Sequence, residues 1–144
     1  MSRLNTSGAL VTHLLANLPT GVTSDDVVYP NSLELFNPAG KDIWLEYLYD
    51  EATSEATGKT NASSNEQRGF FQIDVNVPIH NRNYTNDLLQ AIDELSSSFM
   101  FGSELLYNGQ TVTILDASSP VSSVNGAWYR KLITINYTTF SARG

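Results

Sequence analysis

Near the N-terminal end of the chain, apolar residues recur at the spacing that places them on one face of a helix. Apolar side chains recur at this spacing from Leu4 to Leu18, and Pro19 closes the pattern. Gly8 lies inside this stretch and lowers the helix propensity of its turn. The pattern nevertheless predicts an N-terminal helix with one apolar face.

A second helical pattern, cleaner than the first, lies in the middle of the chain. Thr85 suits the N-cap position, and Gly102 suits the C-terminal end. Between them, four apolar side chains share one face of the helix: Leu88, Ile92, Leu95 and Phe99. We expect this amphipathic helix to lie flat on a sheet.

Four stretches alternate with the period of two that is typical of a half-buried strand. They are residues 42–50, 70–78, 105–115 and 128–140. The dipeptide Asn108-Gly109 interrupts the third stretch and suits the tight turn of a hairpin, so this stretch supplies two strands.

Together these elements predict one α+β domain over residues 1–144, since this length is typical of a single domain. The expected architecture is a mostly antiparallel sheet of four to five strands, packed by the N-terminal helix and the central helix. The expected order is α-β-β-α-β-β-β, with residues 20–40 as an irregular, turn-rich connection.

Two polar segments separate strong strands. Residues 51–67 contain no aromatic residue and no Val, Ile, Leu or Met, so they are expected to form a long, solvated hairpin loop. Residues 117–126, rich in Ser, are a second and milder loop. Because long loops in compact domains are usually functional or disordered, both are candidate docking loops.

Composition narrows the classes of function. Ser, Thr and Asn together number 42 against 23 charged residues, and the net charge is −7. Phosphate binding relies on clustered Lys and Arg, so a general nucleic-acid-binding role is disfavoured. The absence of Cys excludes disulfides, thiolate zinc sites and a cysteine nucleophile. The longest apolar stretch falls short of the roughly 20 residues of a membrane span, so we expect a soluble protein without a targeting segment.

No arrangement of residues indicates an active site. His13 and His80 have no partners at metal-ligand spacing, which favours structural roles for both. Asp42 and Glu46 fall on one strand face and could form an acid–base pair, although solvated acidic residues are common there. We therefore expect no enzymatic activity, no cofactor and no metal.

Charged and aromatic side chains beside the strands are candidates for a protein interface, where Arg, Tyr and Trp are over-represented. Arg68 and Arg82 lie before and after the strand of residues 70–78. A purely structural role at the ends of this strand explains them equally well. For Trp128 and Tyr129, core packing is the favoured alternative. The set is completed by the charged residues of the polar loop, Glu51, Lys59 and Glu66.

Three stretches of the chain resemble the tail terminator family of long-tailed bacteriophages. In residues 29–45, Tyr-Pro-Asn and Phe-Asn-Pro precede Trp-Leu, which looks like the family's entry to its first long strand. Residues 68–78, RGFFQIDVNVP, look like the family's Arg-Gly-aromatic-x-Gln strand that ends in Pro and precedes a helix. Residues 128–137 look like its C-terminal strand with Trp-Tyr.

This resemblance implies an α/β domain without catalytic residues and a structural role in the virion. Family members assemble as a homo-hexameric ring that caps the completed tail tube, ends tail polymerisation and provides the surface for head–tail joining. The implied partners are further copies of the chain, the major tail tube protein, the head–tail connector or head-completion protein, and genomic DNA that passes through the lumen without sequence-specific binding. Synthesis is expected in the host bacterial cytoplasm. The alternatives are a neighbouring neck or head-completion protein, or a soluble binding module.

Overall fold

A computed structural model describes residues 3–29, 37–56, 64–79, 84–119, 122–125 and 128–142. Helix α1 spans Arg3–Ala16, and helix α2 spans Tyr84–Ser98. The described strands are β1 (Val27–Val28), β2 (Trp44–Ala56), β3 (Ser64–Pro78), β4 (Glu104–Tyr107), β5 (Gln110–Ser118), β6 (Ser122–Asn125) and β7 (Trp128–Ala142). Both helices match the sequence prediction.

The described strands form one mixed sheet in the order β1-β2-β3-β7-β5-β4. Strand β7 pairs with β3 along one side, and with β5 and then β6 along the other. The β1–β2 pair is parallel, and the other described pairs are antiparallel. The prediction of a mostly antiparallel α+β fold is confirmed, but four to five strands was too few. Strands β1 and β6, of two and four residues, are too short to produce an alternating pattern.

One face of the sheet carries the hydrophobic core, and both helices cover it. Phe71 and Ile73 of β3 lie opposite Ile135 and Ile133 of β7, and all four are fully buried. Phe99, which directly follows α2, packs on Phe71 with ring centroids 6.1 Å apart. Burial of each such side chain contributes about 1.5–3 kcal/mol, so this face stabilises the whole domain.

A histidine joins the two helices. His13 Nε2 lies 2.6 Å from the carbonyl oxygen of Ser98, which can only accept, so the proton is on Nε2. The His13 ring also meets Phe99 edge to face at 4.8 Å. The structural role expected for His13 is confirmed, whereas His80 lies outside the described residues.

Both polar segments are more ordered than the sequence predicted. Strand β2 continues to Ala56 and β3 begins at Ser64, so only residues 57–63 of the expected loop lie outside the described strands. In the second segment, β5 continues to Ser118, and β6 follows. The expectation of loop backbone was wrong in these strands, because backbone pairing needs no apolar side chain, and apolar periodicity detects only burial.

The predicted hairpin at Asn108-Gly109 is confirmed. Both residues have positive φ, at 48° and 80°, which is the geometry of the two-residue turn that Asn-Gly favours. This turn joins β4 to β5, and Tyr107 lies directly opposite Gln110.

Gly8 has a packing reason for its place inside α1. A Cβ atom added to Gly8 would lie 2.6 Å from the Tyr107 ring, closer than carbon atoms can approach. The bare backbone of Gly8 therefore lets the edge of the sheet approach the helix.

This contact predicts that the effect of Gly8→Ala reverses sign with the residue at position 107. Alone, Gly8→Ala should lower the free energy of unfolding by about 1–3 kcal/mol through overpacking. In a Tyr107→Ala background, the same change should raise it by about 0.5–1 kcal/mol, because Ala is the better helix former. Urea denaturation of the four proteins measures both values, and the same sign in both backgrounds would contradict the packing explanation.

Candidate functional site

Three strands continue beyond the part of the sheet that β5 covers. Pairing of β5 with β7 begins at Val112 opposite Thr139, whereas β3 pairs with β7 as far as Ser64 opposite Ala142. On the other side, β2 and β3 pair as far as Ala56 opposite Asn65. Residues 53–56, 64–67 and 140–142 therefore form a three-stranded extension, called here the arm.

Three of the charged interface candidates from the sequence lie in or near this arm. Glu66 is an arm residue whose backbone lies opposite Glu55 and Phe140. Glu51 lies on β2, within the irregular register between Asp50 and Thr53. Lys59 and Arg82 lie outside the described residues.

Arg68 lies where the arm meets the rest of the sheet. Its backbone is opposite Thr53 on β2 and Thr138 on β7, and its side chain is exposed.

The aromatic interface candidates pack within the domain. Trp128 is half-buried and meets Trp44 edge to face, with ring centroids 5.7 Å apart. Tyr129 is also half-buried and packs against the hydrophobic core. These contacts are the core packing that the sequence favoured, and the interface role of both residues stays a prediction.

The face of the sheet opposite the helices, called here the open face, carries a network around Arg130. Its Nε donates to Oδ1 of the buried Asn76 at 2.9 Å. Its two terminal nitrogens lie 3.6 Å from Asp74 Oδ2 and 3.9 Å from Glu46 Oε2. Gln72 also donates to Asp74 Oδ1, at 3.0 Å. Arg130 thus holds together two carboxylates that face each other on β2 and β3.

This network was not found by sequence reasoning. Its members come from three strands, and Arg130 is 56 residues or more distant in sequence from both of its carboxylates. The signal was limited to polar residues at alternate strand positions, which are common on any exposed face. Strand register was needed to bring them together.

The possible acid–base pair of Asp42 and Glu46 does not form. Strand β2 begins at Trp44, so Asp42 precedes the strand. Asp42 lines a groove of about 230 Å³ together with Asp87 of α2, whereas Glu46 interacts with Arg130. Among the described residues, no three His, Asp or Glu side chains gather in a way that could hold a metal ion. In the same residues, neither helix is long and apolar enough to span a membrane.

Two other carboxylates anchor the connection after α1. The backbone N–H and the hydroxyl of Thr20 each donate to Glu94 at 2.7 Å, and these bonds hold the pKa of Glu94 below its usual value. Burial opposes ionisation of Asp26, but hydrogen bonds from Lys41 and Thr23 outweigh it and lower the pKa of this carboxyl. Both groups are therefore structural anions.

The Arg130 network predicts a specific loss of stability. We expect Arg130→Met to lower the free energy of unfolding by about 1–3 kcal/mol, because Asp74 loses its cation and Asn76 loses a donor. Lys131→Met is the matched control, since it removes the same charge from the next residue, whose Nζ donates only to the Ser119 carbonyl at 3.3 Å among its described contacts. Denaturant unfolding measures both proteins, and equal losses would contradict the role of the network.

Comparison with known proteins places this architecture in a family. The family model described as phage tail terminator protein matches residues 7–137. One solved structure, described only by a sequence identifier, aligns over 96% of this chain and 96% of its own, with a TM-score of 0.70 and 21% identity. At that identity the likeness shows the fold alone. Comparison with curated proteins gives no match. Because the family match covers most of the sequence, the chain belongs to the phage tail terminator family, whose members have a structural role at the tail end.

Proposed function

We propose that the chain forms a homo-hexameric ring on the end of the completed tail tube, where it stops tube polymerisation and provides the surface for head–tail joining. The observation that carries this proposal is the family match over residues 7–137, which includes all of α2, most of α1 and all but the last residues of β7. The partners in this role are other copies of the chain, the major tail tube protein and the head–tail connector or head-completion protein. The protein is made in the host cytoplasm and acts in the virion.

The arm supports this proposal because its strands are paired and its sequence is rich in polar residues. Its strands are fixed because β3 pairs with both β2 and β7, so the arm has a defined direction relative to the core. The segment of residues 51–67 carries short polar side chains and no large apolar ones. Such a surface is inexpensive to desolvate compared with a lysine-rich one, because Ser and Thr lose little side-chain entropy on binding. The arm is therefore the part of the domain best suited to contact a neighbouring subunit or the tube.

The charge of the chain supports the same role. A net charge of −7 per subunit is multiplied in any ring of identical copies. A negative ring repels phosphates, so DNA crosses its lumen without being held there. The open face adds to the negative charge, because the single cation of Arg130 lies near the two carboxylates of Glu46 and Asp74.

Loss of the protein tests the proposed function through the length of the tails. In a phage that lacks this gene, electron microscopy should show tails of uncontrolled length that are not joined to heads. Expression of the gene from a plasmid should restore both properties and serves as the control. Tails of normal length beside heads that leak DNA would instead indicate a head-completion protein and contradict the proposal.

The ring itself is tested with the purified chain. Light scattering should give the mass of six subunits, either for the protein alone or after addition of the tail tube protein. A monomer under both conditions would contradict the ring, whatever the tail phenotype.

A further inference from the structure

Strand β4 is an edge of the described sheet, because β5 is its one neighbouring strand there. The Ser103 carbonyl accepts a hydrogen bond from Ile114 N at 2.9 Å, and this bond shows which residues of β4 are hydrogen-bonded to β5. In antiparallel pairs, hydrogen-bonded and non-hydrogen-bonded residues alternate. The backbone N–H and C=O groups of Glu104 and Leu106 therefore point away from β5, at the spacing that an added strand would bond.

Helix α1 runs antiparallel to this edge and forms a groove with it. Asn108 Nδ2 lies 3.3 Å from Asn5 Oδ1, and Gly8 lies against Tyr107. Residue numbers thus rise along α1 as they fall along β4, so the later turns of α1 lie beside Glu104. The groove between helix and strand measures about 250 Å³. Its helical side is lined by Ala9, Thr12, His13 and Ala16, three of which are small. Small side chains leave room for the side chains of an extended segment beside β4.

Exposed apolar side chains and one acidic side chain lie in or beside the groove. Leu106 is 74% exposed, and Phe101, in the turn that leads into β4, is 77% exposed. Glu104 is exposed and lines the groove near the C-terminal end of α1, where helix carbonyls carry partial negative charge. A complementary ligand has apolar side chains along the strand and a cation beside Glu104.

The β2 edge of a second copy does not offer the combination of apolar side chains and a cation that this groove would bind. Beyond Glu46, no described strand covers the outer side of β2, where Leu48 is 49% exposed. Alignment of Leu48 with Leu106 would place Glu104 opposite Glu46 in a parallel pair and opposite Asp50 in an antiparallel one. Like charges in directly opposite positions destabilise a sheet. Charge therefore disfavours the β2 edge of a second copy and favours a partner segment that carries a cation beside Glu104.

We propose that the β4 edge and its groove bind an extended segment of a partner protein that adds a strand to this sheet. Its side chains are apolar at alternate positions, and a Lys or Arg lies beside Glu104. In this mode of recognition, main-chain hydrogen bonds supply affinity and side-chain pockets supply specificity. The inference goes beyond the proposed ring and does not depend on the number of subunits in it.

The test uses the full isotope-labelled chain and two blocked heptapeptides in an NMR titration. One peptide alternates Val and Thr and carries a single Lys, and its control carries Glu in place of that Lys. We expect the Lys peptide to shift the amide signals of Glu104 and Leu106 most and to slow their hydrogen exchange. The Glu peptide should bind about threefold to tenfold more weakly, as expected for reversal of one exposed charge pair.

Two variants at position 106 separate backbone pairing from side-chain contact. Leu106→Pro removes an N–H that points away from β5, so the domain should remain folded while peptide affinity falls by about tenfold or more. Leu106→Val keeps the N–H and the apolar side chain, and it should bind like the wild type. Glu104→Lys should reverse the preference between the two peptides.

Three results would overturn the inference. One is the absence of binding by either peptide, and another is equal binding of both. The third is a change of oligomeric state in Leu106→Pro without peptide, which would make this edge a contact between subunits. Tail length in a phage that carries Leu106→Pro is a separate readout. Normal tails with lost peptide binding would leave the proposed ring intact, and uncontrolled tails with retained peptide binding would leave this inference intact.

Discussion

The pairing of β3 with β7 is the constraint on which the rest of the structure depends. The two strands of 15 residues each pair without interruption, from Ser64 opposite Ala142 to Pro78 opposite Trp128. Because side chains alternate between the faces of a strand, this register places Ile73 beside Ile133 in the core. A slip by one residue would move every apolar side chain of one strand to the open face. The same ladder positions the Arg130 network on that face and extends outward as the central part of the arm.

The two regions proposed for binding, the arm and the β4 edge, both lie at the periphery of the described sheet. In the arm, β3 and β7 continue to pair as far as Ser64 opposite Ala142. At the β4 edge, Leu106 is exposed, and β5 is the one described strand that pairs with β4.

Sequence reasoning found the elements whose burial is periodic and missed those that depend on pairing alone. Alternation from Phe71 to Val77 predicted the centre of β3, and the spacing of Leu88 to Phe99 predicted α2. Asn108-Gly109 predicted the β4–β5 turn because few dipeptides adopt two positive φ angles. Residues 53–56 and 64–67 of the arm were interpreted as parts of a loop because they carry no apolar periodicity. The contacts of Arg130 join strands that are distant in sequence, and only their register brings the partners together.

The central claim is that the apolar face maintains the fold while the arm serves assembly, and a shortened arm tests it most directly. Ser54 lies opposite Gln67, so a two-residue Asn-Gly turn can replace residues 55–66 without a change of register. In the matched control, the same turn replaces only residues 57–64, between the paired Ala56 and Asn65, so that most of the arm is kept. For the 55–66 replacement, the account predicts cooperative thermal unfolding as in the wild type together with loss of tail-length control in the phage. Loss of cooperative unfolding, or normal tails with the shortened arm, would contradict it.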